Sequence, residues 1–351
     1  MHVFRTCLRS RYISFRTVLY EVKMQQHLAD KNIALDLVRV TEAAALASAR
    51  FVGLGNKELV DRAAVDAMRI AFQSIHIKGT IVIGEGEKDE APMLYTGEKV
   101  GFGDGAEFDI AVDPIDGTSC VAGGKPNGIA AVGIAPKGTM FNPGHSFYCE
   151  KMAVGAEAAN VIDLDAPIKD NLVNVAKALG KKVGELKVFV LDKPRHEKLI
   201  KDIHLAGARV MVHSDGDIAG ALMAIDPTTD IDMLVGIGGT PEAVITACAI
   251  KGTGGQMLTR LAPKTEAEKE AIIKDGFDLN AIRTVDDMIS SDQCFFAATG
   301  VTPGELLDGV RYKGEYTLTS SISSRGRTGT RRYIQAWHDR AKLSKMSSLE
   351  Y

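Results

Sequence analysis

Hydrophobic residues recur at helical spacing early in the chain, and short runs rich in β-branched residues follow them. The spacing predicts helices over residues 33–50 and 58–75. The runs predict strands over residues 79–83 and 108–112, and the second of these is almost wholly apolar, as suits a strand buried on both faces. Because proline has no backbone N–H to donate, we expect this strand to end at Pro114.

The rest of the chain alternates between strand and helix patterns. These patterns predict strands over residues 128–135, 147–154, 187–191, 208–212 and 231–237, and helices over residues 171–179, 197–205, 218–225, 243–250 and 264–275. Residues 330–337 fit either a strand or a helix. The repeated strand–helix units predict an α/β fold with a parallel sheet that helices cover on both faces. Ligands in such folds bind beyond the carboxyl ends of the strands.

Length and composition favour a globular protein with a large core. The chain has 351 residues, of which 45% are hydrophobic and 25% are charged. A polar helical stretch at residues 171–179 predicts a boundary between two lobes of one catalytic domain (24–351), at about residues 24–180 and 181–351. The net charge of −3 gives no reason to expect a nucleic-acid partner. No apolar run approaches the roughly 20 residues that span a bilayer, so we expect no membrane partner.

The five cysteines are scattered, odd in number and without CxxC spacing. This usage argues against a disulfide framework or a zinc site and for a reducing, cytoplasmic compartment. Residues 1–23 differ from the remainder because they carry five basic residues and one acidic residue. That composition is typical of an organelle transit peptide. The alternative, which we slightly prefer because no cleavage site is recognisable, is a translated stretch ahead of a true start at Met24.

Two predicted strands end in acidic turns. Asp113, Asp116 and Thr118 surround the end of the apolar strand, and Gly117 lets the backbone turn sharply. Glu85 stands between two glycines directly after the preceding strand. Each turn has an ordinary explanation, which is a β-turn in the first case and a solvated loop in the second. If the strands are neighbours, however, three carboxylates converge, and such oxygen-rich clusters bind magnesium or manganese in phosphoryl chemistry.

Further charged residues follow the predicted strands of the second half, namely Lys193, Arg195, Asp215, Asp217 and Glu242. The two cations lie beside a proline-stiffened turn and suit a phosphate group. Glu242 is equally compatible with a helix-capping role and with metal binding, because it follows a threonine and a proline at a predicted helix start. Together these residues predict hydrolysis of a phosphate monoester by a metal-activated water. GxxxxGK[ST] and GxGxxG motifs are absent, which argues against a nucleotide-hydrolysing or dinucleotide-binding protein.

Residues 113–118, Asp-Pro-Ile-Asp-Gly-Thr, resemble the signature of the lithium-sensitive, magnesium-dependent phosphatase superfamily. Other blocks are similar to one branch, the class II fructose-1,6-bisphosphatases, and these are residues 39–42, 61–69, 79–94, 193–196, 215–217, 236–242 and 297–302. The resemblance implies a layered α-β-α-β-α sandwich of the sugar/inositol phosphatase type and a homo-oligomer, either a dimer or a tetramer. It also implies removal of the 1-phosphate of fructose 1,6-bisphosphate, which gives fructose 6-phosphate in gluconeogenesis.

The resemblance also implies roles for named residues. The metal ligands, for Mn²⁺ or Mg²⁺, would be the Ile115 carbonyl and the carboxylates of Asp61, Glu85, Asp113, Asp116 and Glu242. Catalysis would depend on Thr118, which positions the attacking water, and on Glu85 and Lys57 beside the metals. The sugar and its phosphates would be bound by Gly117, Thr118, Tyr148, Lys193, Arg195, Asp215, Asp217 and Gly239.

Two residues depart from the pattern of this branch. Asp116 stands where glutamate is usual, and Ala243 replaces the usual glycine after Pro-Glu. Both departures bear on metal preference and rate more than on the type of reaction. Asp116 also favours an enzymatic alternative, an inositol-phosphate phosphatase, and a sugar-phosphate sensor that has lost catalysis is the alternative outside enzymes. A second activity on sedoheptulose 1,7-bisphosphate is a further expectation, because photosynthetic relatives in this branch act on both sugars.

Overall fold

The computed structural model describes residues 32–86 and 93–346, and within them thirteen strands form two mixed sheets. The strands are β1 (Ile77–Ile83), β2 (Lys99–Val100), β3 (Ala106–Asp116), β4 (Ile129–Pro136), β5 (Tyr148–Val154), β6 (Lys187–Leu191), β7 (Arg209–His213), β8 (Met233–Gly239), β9 (Gln256–Leu261), β10 (Phe295–Gly300), β11 (Arg311–Lys313), β12 (Tyr316–Arg325) and β13 (Thr330–Asp339). The first sheet has the order β11-β12-β10-β4-β3-β1-β2, and β13 pairs with β12. The second sheet has the order β7-β6-β8-β5-β9.

Ten α-helices lie in the same described residues. They are α1 (Ala34–Ala49), α2 (Lys57–Phe72), α3 (Thr118–Ala122), α4 (Ile168–Ala178), α5 (Glu197–Ala206), α6 (Asp217–Ile225), α7 (Thr240–Ile250), α8 (Glu266–Lys274), α9 (Val285–Met288) and α10 (Arg340–Met346). Short 3₁₀ helices span Ala156–Ala158, Val183–Glu185, Pro194–His196 and Gly326–Thr328. The side chain of Asn56 accepts a hydrogen bond from the Leu59 N–H, which fixes the start of α2 by capping.

Three apolar clusters hold these layers together. α1 and α2 pack on one face of the first sheet through residues that include Leu37, Met68 and Phe108. α6 and α7 lie between the two sheets, where Leu222 and Val244 belong to a cluster shared by both sheets. A third cluster joins α4 and α5 to the other face of the second sheet. Each large apolar side chain that becomes fully buried contributes about 1.5–3 kcal/mol, so covering both faces of each sheet stabilises the fold.

The helices and strands predicted from the hydrophobic pattern are present, whereas strands β2, β9, β10, β11 and β12 were not predicted. The helices predicted over residues 33–50 and 58–75 are α1 and α2, and the strand predicted over residues 187–191 is β6. The ambiguous stretch 330–337 lies in strand β13. The combination of mixed sheets and helices confirms the predicted α/β class.

Two details of the predicted sheets are wrong. β3 does not end at Pro114 but continues to Asp116, because a register shift between Asp113 and Asp116 accommodates the missing donor of the proline. The second sheet is only partly parallel: β6 pairs parallel with β7 and β8, whereas β5 pairs antiparallel with β8 and β9. The parallel pattern fails at β5 because no crossover helix precedes this strand, which follows β4 through a turn.

The second sheet is inserted in the sequence of the first, since β5 to β9 lie between β4 and β10. The predicted lobe boundary near residue 180 falls between β5 and β6, and the division at that residue stays a prediction. The basic segment of residues 1–23 lies outside the described residues. Among helices in the described ranges, none combines the length and the apolar character needed to cross a bilayer.

Candidate active site

The two acidic turns lie side by side at the carboxyl ends of two strands of the first sheet. β1 and β3 pair in parallel, and their register places Ile83 opposite Ala111. Glu85 and Asp113 each follow this pair by two residues. The prediction that the two turns are neighbours is therefore confirmed. Residues 87–92, which include the rest of the predicted acidic loop, lie outside the described residues.

Asp113 lies at the centre of a group of carboxylates drawn from four separate segments. Burial raises its pKa well above the ordinary value, and the negative charges of Asp116, Glu242, Glu85 and Asp61 raise it further. Such mutual effects require that the carboxylates be close together in a medium that screens charge poorly. The five carboxylates predicted as metal ligands therefore converge, although their positions in the sequence span residues 61 to 242.

A threonine hydroxyl connects this group to helix α2. Thr118 Oγ1 donates a hydrogen bond to Asp61 Oδ1 at 2.7 Å, and the Ile115 carbonyl oxygen lies 3.2 Å away as an alternative acceptor. Gly117 makes this contact possible, because its positive φ of 84° turns the chain from β3 directly into α3, which begins at Thr118. Burial raises the pKa of Asp61, while the Thr118 hydrogen bond and the positive charge of Lys57 oppose the rise.

Glu85 is the carboxyl group of this site that titrates near neutral pH. Burial of its carboxyl group and the charge of Asp61 raise its pKa to about 7. The residue as a whole remains exposed at the mouth of the site, and solvent moderates the shift. A carboxyl group that is part protonated near pH 7 can give or accept a proton during a reaction.

Asp116 performs a structural task that its sequence position did not reveal. Its Oδ1 accepts the Asp217 N–H at 3.2 Å, and its Oδ2 accepts the N–H groups of Ile218 and Ala219 at 2.9 and 3.2 Å. These are donors of the first turn of α6, where a negative charge is favoured by the helix dipole. Burial nevertheless raises the pKa of Asp116, followed by the charges of Asp217 and Glu242. Oδ2 already accepts two N–H groups, whereas Oδ1 accepts one and can take a further partner. A metal ion bound by Oδ1 would therefore be connected through Asp116 to the first turn of helix α6.

Glu242 lies in the first turn of α7, whose N-cap residue, Gly239, makes no side-chain capping bond. Its pKa is raised by burial, lowered by Lys151 and raised by Asp217 and Asp215. The side chain therefore belongs to the acidic group as well as to the helix start. Gly239 makes room for it, because a Cβ atom at this position would overlap the Glu242 carboxylate.

Lys151 is a residue of this site that the sequence reasoning missed. Its ammonium group, with the side chain only 2% exposed, lies 2.5 Å from Asp217 Oδ2 and donates to the Gly239 carbonyl at 2.8 Å. Gly238 has the same purpose as Gly239, since a Cβ there would overlap the Asp217 carboxylate. The available signal was a lysine in the middle of a strand whose neighbours are otherwise mostly apolar.

Residues predicted to bind substrate form a second group next to the acids. Tyr148 lies opposite Gly239 in the register of β5 and β8. The Arg195 guanidinium lies over the Tyr148 ring at 5.5 Å from its centre, and Lys264, which was not predicted, lies over the same ring at 3.2 Å. Arg195 donates to the Ile237 carbonyl through two N–H groups, at 3.0 and 2.8 Å, which leaves donors for a phosphate.

Lys193 is not joined to this group by a direct contact. Its side chain forms no hydrogen bond or ion pair within residues 32–86 and 93–346, although it is two residues from Arg195. Asp215 and Asp217 do reach the acidic group, as their effects on the pKa values of Asp116 and Glu242 show. The substrate roles of all these residues remain predictions.

The donor set fits a divalent cation in charge and chemistry. Carboxylate, carbonyl and hydroxyl oxygens are the ligands that Mg²⁺ and Mn²⁺ prefer, and the five carboxylates of this group outnumber the two nearby cations, Lys57 and Lys151. Within the described ranges, no three histidine, cysteine or acidic side chains already surround a single point as a bound ion would require. The acidic side chains must therefore rotate to surround an ion, and the exposed Glu85 can rotate most easily.

Comparison with known proteins agrees with this geometry. The profile of a family described as bacterial fructose-1,6-bisphosphatase, glpX-encoded, matches residues 31–338. The chain is 43% identical over 333 residues to the fructose-1,6-bisphosphatase class 2 of Haemophilus influenzae, with 91% of this chain and 100% of that protein covered. It is 43% identical over 321 residues to the fructose-1,6-bisphosphatase 1 class 2 of Escherichia coli K12, with 88% and 95% covered.

Among solved structures, an extragenic suppressor from Pyrococcus furiosus matches with 13% identity and a TM-score of 0.25, over 54% of this chain and 66% of that one. This likeness is too slight to bear on the fold. Acidic residues gathered beyond strand ends beside a threonine hydroxyl are typical of metal-dependent phosphatases of α/β fold. The sequence match over most of the chain is more specific. The chain belongs to the family of glpX-encoded bacterial fructose-1,6-bisphosphatases.

Proposed function

We propose that this protein is a phosphoric monoester hydrolase that removes the 1-phosphate of fructose 1,6-bisphosphate, giving fructose 6-phosphate and phosphate in gluconeogenesis. Relatives that are 43% identical over nearly their whole length carry the name fructose-1,6-bisphosphatase class 2. The single observation in the structure that supports the proposal most is the gathering of four carboxylates around the buried Asp113, whose pKa is raised by burial and then by those four charges. Carboxylates gathered in this way can bind divalent cations, and hydrolysis of a phosphate ester needs such cations to offset the charge on the phosphate.

The residues around Thr118 can orient a water molecule. Because the Thr118 hydroxyl donates its proton to Asp61, its oxygen is free to accept a hydrogen bond from water. With no cation bound, the pKa of Glu85 is about 7, and a bound cation would lower it, so Glu85 would stay charged and could accept a hydrogen bond from that water. Asp61, Glu85, Asp113, Asp116, Glu242 and the Ile115 carbonyl would hold Mn²⁺ or Mg²⁺. Bound ions would supply an activated water and neutralise charge on the phosphate.

The substrate end of the proposed site is built from aromatic and cationic residues. Arg195 and Lys264 flank the Tyr148 ring, and Arg195 keeps unused donors that suit the second phosphate of a sugar bisphosphate. Lys193 has no competing partner in the described part of the chain and can turn toward the same phosphate. Asp215, Asp217, Gly117 and Gly239 lie nearer the acidic group and would contact the sugar.

The finer expectations from the resemblance belong to the same proposal. The helices on the outer faces of both sheets and the helices between them agree with the layered α-β-α-β-α sandwich of sugar and inositol phosphatases. We further propose a homo-oligomer, a dimer or a tetramer, located in the cytoplasm, without nucleic-acid or membrane partners. The four described cysteines are buried free thiols, as is common in a reducing compartment.

The test is a substrate panel with the purified full-length chain. In the presence of Mn²⁺ or Mg²⁺ we expect release of phosphate from fructose 1,6-bisphosphate, and absence of release with both ions would overturn the proposal. Sedoheptulose 1,7-bisphosphate and inositol 1-phosphate complete the panel. Binding of fructose 1,6-bisphosphate without turnover would instead favour a sensor.

A double variant separates the sugar bisphosphatase from an inositol-phosphate phosphatase. Lys193→Ala with Arg195→Ala removes the cations for the second phosphate, and we expect KM for fructose 1,6-bisphosphate to rise at least tenfold. An inositol phosphatase needs no second phosphate site and would be unaffected. Lys198→Ala is the matched control, because Lys198 is an exposed cation on α5 whose ion pair in the described residues is with Asp202, four residues away.

A further inference from the structure

Strand β13 forms a long unpaired edge of the first sheet. Its ten residues pair along their whole length with β12, from Tyr316 opposite Asp339 to Arg325 opposite Thr330. In the described part of the chain, no strand pairs with its other side. An edge of this length leaves a row of backbone donors and acceptors free, which is a ready template for another strand.

One face of β13 carries two exposed aromatic side chains. Side chains alternate along a strand, so residues with odd numbers share a face, and on it Tyr333 is 52% and Trp337 is 55% exposed. Gln335 between them is also exposed. The opposite face is used within the chain, where Ile334 packs against the cluster of α1 and α2 and His338 contacts Thr319. Large aromatic side chains exposed on a free edge are what a strand–strand contact would cover.

The sequence of β13 is complementary to itself in antiparallel orientation. If Gln335 lies opposite Gln335 of a second copy, Tyr333 lies opposite Trp337 and Arg331 lies opposite Asp339. A two-fold axis repeats both pairs, and each brings together residues that stabilise neighbouring strands. A centre at residue 334 would set Arg331 opposite Trp337, and a centre at residue 336 would set Asp339 opposite Tyr333. Either shift loses the aromatic pair and the charged pair.

The contacts of the two charged residues within the described chain leave part of each side chain exposed. Arg331 Nη1 lies 3.9 Å from Asp226 and makes no hydrogen bond in the described residues. Asp339 accepts the Lys342 N–H at 3.1 Å and lies 3.3 Å from the Lys342 ammonium, which is 81% exposed. Asp226 is otherwise occupied by hydrogen bonds from Thr228 and from the Tyr333 hydroxyl. Although Arg331 Nη1 is buried, the Arg331 side chain is 29% exposed and that of Asp339 is 28% exposed, so each keeps a part that can meet the other across an interface.

We propose that two copies of this chain pair their β13 strands antiparallel about Gln335, so that the two first sheets become one continuous sheet. The pairing goes beyond the hydrolytic function and assumes nothing about the reaction. It names the contact surface of the expected homo-oligomer, and its partner is a second copy of the same chain.

A cysteine on the proposed axis tests the register directly. In the full-length chain with Cys7→Ser, we expect Gln335→Cys to form a disulfide-linked dimer with oxidised glutathione, because opposite residues of antiparallel strands have Cα atoms about 4.5–5.5 Å apart. Thr330→Cys is the control. In the proposed register, position 330 of one copy lies about ten residues along the strand from position 330 of the other, roughly 33 Å away. Equal linkage of both variants, or no linkage of the Gln335→Cys variant, would overturn the proposal.

A charge exchange tests the Arg331–Asp339 pair. We expect Arg331→Asp and Asp339→Arg each to weaken dimerisation at least tenfold in sedimentation velocity, and the double exchange to restore it. A wild-type chain that is monomeric, or single variants that associate as the wild type does, would contradict the pairing. If a single variant fails to fold, the cysteine experiment decides. Phosphate release is measured on each variant, because loss of the dimer with retained hydrolysis separates this proposal from the function.

Discussion

The Lys151 ammonium lies 2.5 Å from the Asp217 carboxylate, and both side chains are almost completely buried, at 2% and 9% exposure. Burial disfavours the charged lysine, but the charges of Asp217, Cys149 and Glu242 and the hydrogen bond to Asp217 together outweigh it and keep the pKa of Lys151 above its ordinary value. Asp217 is the first residue of α6, whose first turn also binds Asp116. The pair therefore connects β5, α6 and the end of β8 around the acidic group.

Removing one member of this pair should be costly. We expect Lys151→Met to lower the free energy of unfolding by about 3–5 kcal/mol, because it leaves Asp217 charged and buried without a partner. The double variant Lys151→Met with Asp217→Asn should recover much of that loss, since no lone charge remains. Urea unfolding of the wild type, the two single variants Lys151→Met and Asp217→Asn, and the double variant measures the coupling. Lys198→Met, which breaks the exposed pair with Asp202, is the control and should cost less than about 1 kcal/mol.

Neighbouring acidic turns could be predicted because the information was local. Glu85 and Asp113 each follow an apolar, β-branched strand, and parallel strands present their carboxyl ends at the same edge. The helices and strands were predictable for the same reason, since hydrophobic periodicity reflects the burial of one face. What the chain pattern carried, therefore, was the type of most predicted elements and the approximate ends of β1 and β3, the second of which continues two residues past the predicted end at Pro114.

Contacts between distant segments could not be predicted in this way. The binding of Asp116 to the first turn of α6 depends on how the two sheets pack across the central helices. The reach of Lys151 to Asp217 depends on the antiparallel insertion of β5, where the sequence had favoured a parallel sheet. Nothing in the residues next to Asp116 or Lys151 records these partners, which are 101 and 66 residues away.

Asp113→Asn should separate stability from activity. The raised pKa means that folding is opposed by the Asp113 charge at every pH above its ordinary value of 3.8. Removing that charge should stabilise the metal-free protein at pH 7.5, on the order of 1 kcal/mol, and should abolish phosphate release. Thermal unfolding in EDTA and in Mn²⁺ is the measurement: the wild type should gain stability from the ion, and Asp113→Asn should not.

Asp66→Asn provides the control for Asp113. Asp66 lies five residues beyond Asp61 on α2, and the substitution removes the same charge outside the acidic group. It should respond to Mn²⁺ as the wild type does. If Asp113→Asn kept its activity, the assignment of the metal ligands would be wrong.

His196 should make stability depend on pH. Its Nε2 accepts the Ile237 N–H at 2.8 Å, so Nδ1 carries the proton that is donated to the Leu191 carbonyl at 2.7 Å, and the ring is neutral. Burial lowers the pKa of His196 below 6.5. The neutral ring therefore contributes to the free energy of unfolding above pH 6.5, and this contribution is lost as the pH falls below 6.5, where the unfolded chain gains a proton first. We expect His196→Asn to reduce the slope of unfolding free energy between pH 7.0 and 5.5, by up to about 1.4 kcal/mol per pH unit.

The matched change for this experiment is His204→Asn, at an exposed histidine near the end of α5. It should leave the slope as in the wild type. Two other histidines, His213 and His338, also have lowered pKa values through burial and contribute in the same direction. The contribution of His196 is therefore measured by the difference in slope between the wild type and His196→Asn, because the slope of the wild type alone includes His213 and His338. An unchanged slope in His196→Asn would show that His196 is not held neutral.

Gly239→Ala should damage the metal site more than the fold. Gly239 has φ −68° and ψ 137°, which alanine adopts without strain, but the added Cβ would overlap the Glu242 carboxylate. Because that carboxylate ends a flexible side chain, it can turn away at small cost. We therefore expect unfolding free energy to change by less than about 1 kcal/mol, while Mn²⁺ affinity falls at least tenfold in calorimetric titration because a ligand is displaced.

Gly155→Ala makes this comparison sharp, because Gly155 has nearly the same φ, −67°, and the nearest atoms to its added Cβ lie at the ordinary contact distances of 3.5 and 3.7 Å. It should keep both the stability and the Mn²⁺ affinity of the wild type. Undiminished Mn²⁺ affinity in Gly239→Ala would show that Glu242 serves helix α7 and not the metal. Since the sequence left those two roles of Glu242 equally open, this pair of alanine variants distinguishes them with one added methyl group at each position.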